Sequence, residues 1–444
     1  MEDQAKAGES SRTSAKVGLV VAILSGVAFV VLAALLIPWH WLPGQHVQAV
    51  PARSVFTAAQ IDKAEHVSAM FRYSGWANLV IGIAAALVLG LTSLGARLVG
   101  WLPGRWWLKV LEGTAVLTAI TLVLQLPLSA FAHHVDRRYD LSDQPWGPWL
   151  YDQAISAGVT AVFTGIGVLV LLAIVRRAPR TWPIWAAGAG AALTMLGSFV
   201  YPVAVEPLFN NFSSMPAGPL RTDIYRLAAA EHVHIGDVLV ADASKRTTTL
   251  NAYVSGFGRT RRVVVYDTVV DSLSNAEIES IVAHELGHAK HRDVLVGTAL
   301  GAVGGAFGIG LLGLLLADDR LLRRAGVRDA ADPRVLPLLF ALFALGAFVA
   351  SPIENTMSRA VEARADRTAL TVTHDPTTFI EMQKKLSLRS LADPTPPRIS
   401  QFWFGSHPTV LQRIGMARSP GADREPDEEN PVAARGWTGF SVTN

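Results

Sequence analysis

Apolar positions in this chain come in long unbroken blocks, not at the 2- or 3.6-residue periods of soluble strands and helices. Seven stretches contain no Asp, Glu, Lys, Arg or His: residues 17–37, 73–96, 113–132, 153–175, 181–205, 294–317 and 335–353. As a helix, each can cross a hydrocarbon core roughly 30 Å thick, which takes about 20 residues. Their Gly, Pro and Ser content is tolerable in lipid when neighbouring helices satisfy the backbone. Tryptophans gather at the edges, among them Trp39, Trp41, Trp101, Trp106, Trp107, Trp146, Trp149, Trp182 and Trp185, as in an aromatic belt. The pattern predicts an α-helical polytopic membrane protein in a lipid bilayer. The first stretch follows Lys6, Arg12 and Lys16 as a signal peptide would, but it is long for one. It also runs into Pro38-Trp39-His40-Trp41 with no small-residue cleavage site, so it reads as a retained anchor.

Two sizeable segments lie outside the spans, residues 206–293 and residues 354 onward. Two spans separate them, so both emerge on one face of the membrane. The expected organisation is a five-span region over 1–205, a catalytic lobe over 206–293, spans six and seven over 294–353, a completing segment over 354–417, and a disordered tail over 418–444, rich in Gly, Pro and acidic residues. Within the lobe, residues 250–255, a turn at 256–259 and residues 262–269 read as a β-hairpin. Its edge could pair with an extended peptide.

Composition supports this division. Apolar residues make up 50% and charged residues 17%, against about 25% charged in soluble domains. None of the 39 basic and 36 acidic residues falls in a span, and outside the spans they reach about a quarter of the chain, an ordinary soluble density. A net charge of +3 without a basic run gives no reason to expect nucleic acid, and the absence of cysteine excludes disulfides, thiolate metal sites and cysteine nucleophiles.

The chemistry concentrates before the sixth span. Ser274-Asn275-Ala276-Glu277 has capping-box spacing and predicts a helix starting near Asn275. That helix carries His284-Glu285-Leu286-Gly287-His288. Four residues apart, the histidines share one face and can bind one zinc ion per chain, with Glu285 placed to act on a water at the metal. The bland alternative is a polar helix at the membrane interface. A metzincin would have Gly at 291 and His at 294, but His291 and Val294 stand there. His291 has ligand chemistry, although three residues after His288 it reads better as a surface or supporting group. A carboxylate from elsewhere is the natural third ligand. Glu362 and Asp366 share a helical face after the seventh span: Glu362 would bind zinc, and Asp366 would take the free ring N–H of a ligating histidine. Read alone, that segment is an exposed helix with Glu–Arg pairs; span parity, which brings it to the histidines, favours the metal. His407 could donate a hydrogen bond to an oxyanion, or be an ordinary loop histidine. The resulting expectation is a small α+β gluzincin-type zinc protease lobe on seven spans. The competing class is a transporter or membrane scaffold with an incidental HExxH. Spans without ionisable residues argue against coupled ion transport.

With these residues in hand, the chain resembles the type I CaaX prenyl protease family of integral-membrane zinc metallopeptidases from about Tyr73 to Arg413. The matching stretches are Leu141-Ser142-Asp143-Gln144 followed by Trp149-Leu150-Tyr151-Asp152, then Pro207-Leu208-Phe209-Asn210, Ser244-Lys245-Arg246, Asn251-Ala252-Tyr253, the HELGH pentapeptide, Ser358-Arg359 with Glu362 and Asp366, and Ser406-His407-Pro408 with Arg413. The resemblance implies seven helices around a water-filled chamber and substrate main chain held by Asn251 and Ala252. It also implies that His407 and Arg413 bind substrate or stabilise the intermediate. Implied substrates are prenylated CaaX peptides or misfolded membrane proteins, cut by a monomer. The Ala-rich, cysteine-free composition suggests a bacterial cell membrane. Orientation divides the arguments: the short-loop Lys and Arg bias favours a catalytic lobe outside the cell, whereas the family arrangement, adopted here, puts the catalytic face in the cytoplasm.

Overall fold

Wherever the chain offers a long charge-free block it is helical, since a helix satisfies its own backbone where no water can. The computed structural model describes residues 2–39, 48–256 and 258–419; of the expected tail, all but Arg418 and Ser419 lies outside the described residues. The N-terminal region comprises α1 (Glu2–Leu36), α2 (Ala58–Gly90), a short α3 (Ser93–Trp101), α4 (Trp106–Arg138), α5 (Trp146–Arg177) and α6 (Trp182–Val200). The charge-free stretch 73–96 is thus two helices. The α2 helix stops after Gly90, and Thr92 opens α3 by accepting a hydrogen bond from the Leu94 N–H. The fifth span leaves the regular helix early, through a π turn at Tyr201–Val205 and a 3-10 turn at Glu206–Leu208. Pro202 and Pro207 interrupt the donor ladder there.

The lobe follows as β1 (Phe212–Ser214), α7 (Pro219–Ala230), β2 (Asp237–Ala241), β3 (Ala252–Ser255), β4 (Arg262–Tyr266), α8 (Asp267–Ser272) and α9 (Asn275–Lys290). The sheet order is β1-β2-β4-β3, so β3 is an edge. The expected hairpin is present, with Ala252 opposite Val265 and Ser255 opposite Arg262. Its second strand ends sooner than the sequence suggested, at Tyr266. The Asp267 carboxylate accepts hydrogen bonds from the Thr268 and Ser244 N–H groups, each at 2.9 Å, and turns the chain into α8. The capping box at Ser274 and Glu277 forms and starts α9 at Asn275.

Two more spans and four shorter helices complete the described chain: α10 (Asp293–Leu315), α11 (Asp319–Arg324), α12 (Leu336–Thr373), α13 (Pro376–Ser390), α14 (Arg398–Phe404) and α15 (Val410–Ala417). The 38-residue α12 runs through position 353 without a break, so Glu362 sits on a direct extension of the seventh span. Around the membrane region, α12 packs on α2, α2 on α4, α4 on α5, α5 on α6 and α6 on α10. The ring closes through α10 on α12, with α1 seated against α10 and α6. Among the described residues α4 and α5 make no extensive contact with α10 across this ring, the neighbour order that a central chamber requires. Small residues set the α1–α10 approach: a Cβ on Gly310 would lie 2.5 Å from the Ala22 nitrogen. Leu35 and Phe343 stay 75% and 78% exposed, as lipid-facing side chains do.

The lobe's core lies between sheet and helices. Val238, Val263 and Val265 from the sheet, Ile278, Val282 and Leu286 from α9, Leu370 from α12, and Phe379 and Met382 from α13 are all buried. Each such side chain contributes roughly 1.5–3 kcal/mol relative to exposure. This core fixes α9 against the end of α12.

Candidate metal and catalytic site

A glycine allows the two ligand-bearing helices to meet. A Cβ on Gly287 would lie 3.1 Å from the Thr368 Cβ and 3.4 Å from the Ala365 Cα, so the middle residues of HELGH press on α12 one turn beyond Glu362. His284 and His288 face Glu362 across that contact. Their Nε2 atoms are 3.2 Å apart, with Glu362 Oε2 3.2 Å from His284 Nε2 and Glu362 Oε1 3.6 Å from His288 Nε2. Among the described residues these three side chains form the candidate metal cluster. Ligands about 2.0–2.1 Å from a tetrahedral ion stand roughly 3.3 Å from one another, so the donor set fits a single zinc-sized ion.

Both histidines are held at their other nitrogen. His284 Nδ1 lies 2.9 Å from Asp366 Oδ1, and Asp366 is fully buried. His288 Nδ1 lies 2.9 Å from Asp293 Oδ2. Asp366 is where the sequence placed it. Asp293 was missed: at five residues after His288 it would lie on another face of an unbroken helix, and only the left-handed Arg292 (φ 56) between α9 and α10 turns it back. Arg413, expected at the substrate, lies against Asp366. Its guanidinium donates to both Asp366 oxygens, with Nε at 2.8 Å from Oδ2, so it anchors Asp366. His407 Nε2 lies 3.2 Å from Glu362 Oε2, and Ser406 Oγ lies 2.8 Å from His407 Nδ1. This brings His407 to the edge of the cluster. Asn251 is exposed and Ala252 buried where β3, packed beside α9, begins.

Electrostatics separates the groups. Burial opposes a charge on His284, yet Asp366 and Glu362 beside it outweigh that and raise its pKa to about 10, so the pocket favours a cation. Burial pushes the Glu285 carboxyl above the usual range. Burial lowers His407 and keeps its imidazole neutral. His291 stays outside the cluster; burial, then the Arg364 cation, lower it to about 4.

Comparison with known proteins gives the same picture. Residues 215–420 match peptidase family M48, and residues 40–211 match the CAAX prenyl protease N-terminal region of five membrane helices. The uncharacterized metalloprotease YhfN of Bacillus subtilis is 26% identical over 412 residues, 88% of this chain and 95% of that one. A CAAX prenyl protease 1 homolog of Oryza sativa subsp. japonica is 27% identical over 329 residues, 72% of this chain and 74% of that one. The crystal structure of S. mikatae Ste24p shares the fold, with TM-score 0.75 at 19% identity over 91% of this chain and 99% of that one.

Proposed function

The chain belongs to peptidase family M48 and is an integral, multi-pass membrane metallopeptidase; from that premise we propose how its residues cut peptide bonds and which polypeptides they meet. The convergence of His284, His288 and Glu362 from two helices carries the reading, and an incidental HExxH in a transporter or scaffold does not account for it. The metal is zinc, one per chain, and when bound it would supply Lewis acidity to the scissile carbonyl and acidify the attacking water. Glu285, its proton affinity raised by burial, takes the proton from that water and delivers it to the leaving amine. Neutral His407, at the edge of the cluster, donates a hydrogen bond to the developing oxyanion. The free edge of β3 at Asn251 and Ala252 pairs with the substrate main chain, and Asp366, held by Arg413, orients His284.

Substrates are membrane-associated or hydrophobic polypeptides reaching the ring of spans from the bilayer, either CaaX-type peptides or damaged membrane proteins, and the chain acts as a monomer in a bacterial cell membrane. Glu285→Gln should retain stoichiometric zinc and lose cleavage by several orders of magnitude; in its native host it should also retain bound substrate for identification. Full activity in that variant would sink the mechanism.

The catalytic face is cytoplasmic. Because the chain has no cysteine, a single Asp329→Cys in the exposed loop between spans six and seven gives a clean test. It should react with a membrane-impermeant maleimide on intact cells. Protection there, with labelling of a cysteine in the lobe, would reverse the orientation.

A further inference from the structure

Each ligand histidine ends a three-residue relay. His284 meets Asp366, which Arg413 holds; His288 meets Asp293, which Arg364 holds. The first relay stays within the catalytic helices of the C-terminal half. The second is built differently. Asp293 is the first residue of α10, the sixth span, while Arg364 lies on α12 two residues after Glu362. The Asp293 and Arg364 side chains are only 9% and 11% exposed, so neither charge is a solvated surface group. One Asp293 oxygen lies 2.9 Å from His288 Nδ1, and the other accepts from the Arg364 guanidinium. An unbroken helix would rotate residue 293 about 140° from His288. The left-handed Arg292 removes that rotation.

We propose that Asp293, clamped by Arg364, is a positioning residue for His288. The pair fixes His288 relative to Glu362 and ties that spacing to the first turn of the sixth span. This rests on the zinc reading of the His284, His288 and Glu362 cluster. Asp293 acts at two points. As an acceptor it holds the Nδ1–H tautomer, leaving Nε2 free as a donor to the metal. As an anion between His288 and Arg364 it closes a link from α9 through α10 to α12, so a displaced Asp293 frees His288 and opens that link. Arg364 would then be left as a buried cation without its carboxylate, which makes the clamp resistant to partial opening.

The test uses the full chain in detergent micelles, with zinc affinity measured by competition against a chromophoric chelator. Asp293→Ala should weaken zinc binding about 10–100-fold, and its cobalt-loaded form should show a shifted d–d absorption spectrum. The metal-free melting temperature should fall in Asp293→Ala, which strands the Arg364 cation, and recover when Arg364→Met is added, while zinc affinity and the cobalt spectrum stay altered in both. A merely structural role would restore affinity and spectrum together with the melting temperature. Asp293→Asn keeps the shape and one acceptor; it should fall between the two and carries the same readouts if the alanine variant does not fold. Arg364→Met should reproduce the affinity loss, and combining it with Asp293→Ala should add little. Wild-type affinity and spectrum in both Asp293 variants would overturn the proposal. Wild-type protein that binds no zinc would instead overturn the metallopeptidase chemistry beneath it, a distinguishable result.

Discussion

His284, His288 and His291 are three imidazoles within two turns of one helix end, and their surroundings set them to different tasks. His284 sits between two carboxylates and is raised to about 10, while His291 is half-buried near the Arg364 cation and lowered to about 4. A histidine depressed in the folded chain couples stability to pH in a definite direction. As pH falls below about 6.5 the unfolded chain takes up the proton first, and the folded chain follows only near 4. The stabilising contribution of neutral His291 is therefore full above about 6.5 and is lost between there and about 4. Metal-free His291→Gln should accordingly lose less melting temperature than wild type between pH 7.5 and pH 5. Parallel declines for the two proteins would rule this coupling out. The sequence showed that His291 had ligand chemistry; its neutrality follows from burial and from a cation 73 positions later, which spacing on one helix does not reveal.

At the scale of elements, legibility follows how local the cause is. The start of α9 was readable because its capping box is contained in four residues, and the β3–β4 hairpin because its alternation and turn are contiguous. Span ends were less readable. A charge-free run states what lipid tolerates, whereas a new helix starts where a side chain captures an end N–H, as Thr92 does within the run 73–96. Charge likewise hid the continuity of α12. Glu354, Arg359, Glu362 and Arg364 mark an exit from the hydrocarbon, yet no residue there breaks the helix, and the seventh span delivers Glu362 on the same rigid rod. The Glu362–Asp366 pair was legible through i, i+4 spacing. Asp293 was not, because its function depends on one left-handed residue between two helices. Both ligand helices thus run into spans, α12 directly and α9 through this two-residue break, which stiffens the site without a separate scaffold.

Across the whole molecule, three of the segments that carried the family resemblance prove to share one place. Arg246 forms an ion pair with Asp152 at the start of α5, with Nε 2.6 Å from Oδ2, and donates to the Phe209 carbonyl and to Asn210 Oδ1. Ser142 Oγ donates to the Arg246 carbonyl, and Gln144 donates to Asp152 at 2.7 Å. Residues from 142 to 246 therefore converge on Arg246 and its partner Asp152, and none of them is among the metal-cluster side chains. The knot joins the loop between spans three and four to the exit of span five and to the lobe. A second tie runs beside it, where Glu206 at that exit meets Arg262 and Ser255 of the hairpin. The Arg246 and Asp152 side chains are 25% and 14% exposed, so the pair is partly shielded and its loss matters more than that of a surface pair. If the knot holds the lobe on the membrane ring, Arg246→Met should speed limited proteolysis within residues 206–272 and reduce peptide cleavage. Zinc affinity should stay within a few-fold of wild type, because the ligands have their own supports on α9, α10 and α12. Asp152→Asn can keep the oxygen that accepts from Gln144 and from Arg246 Nε, but it loses the acceptor for Arg246 Nη2 and the charge, and should show the same change in weaker form. The two readouts separate anchoring from metal binding: a large loss of zinc affinity in Arg246→Met would mean that the knot supports the cluster, and an unchanged proteolysis rate would mean that the lobe is held elsewhere.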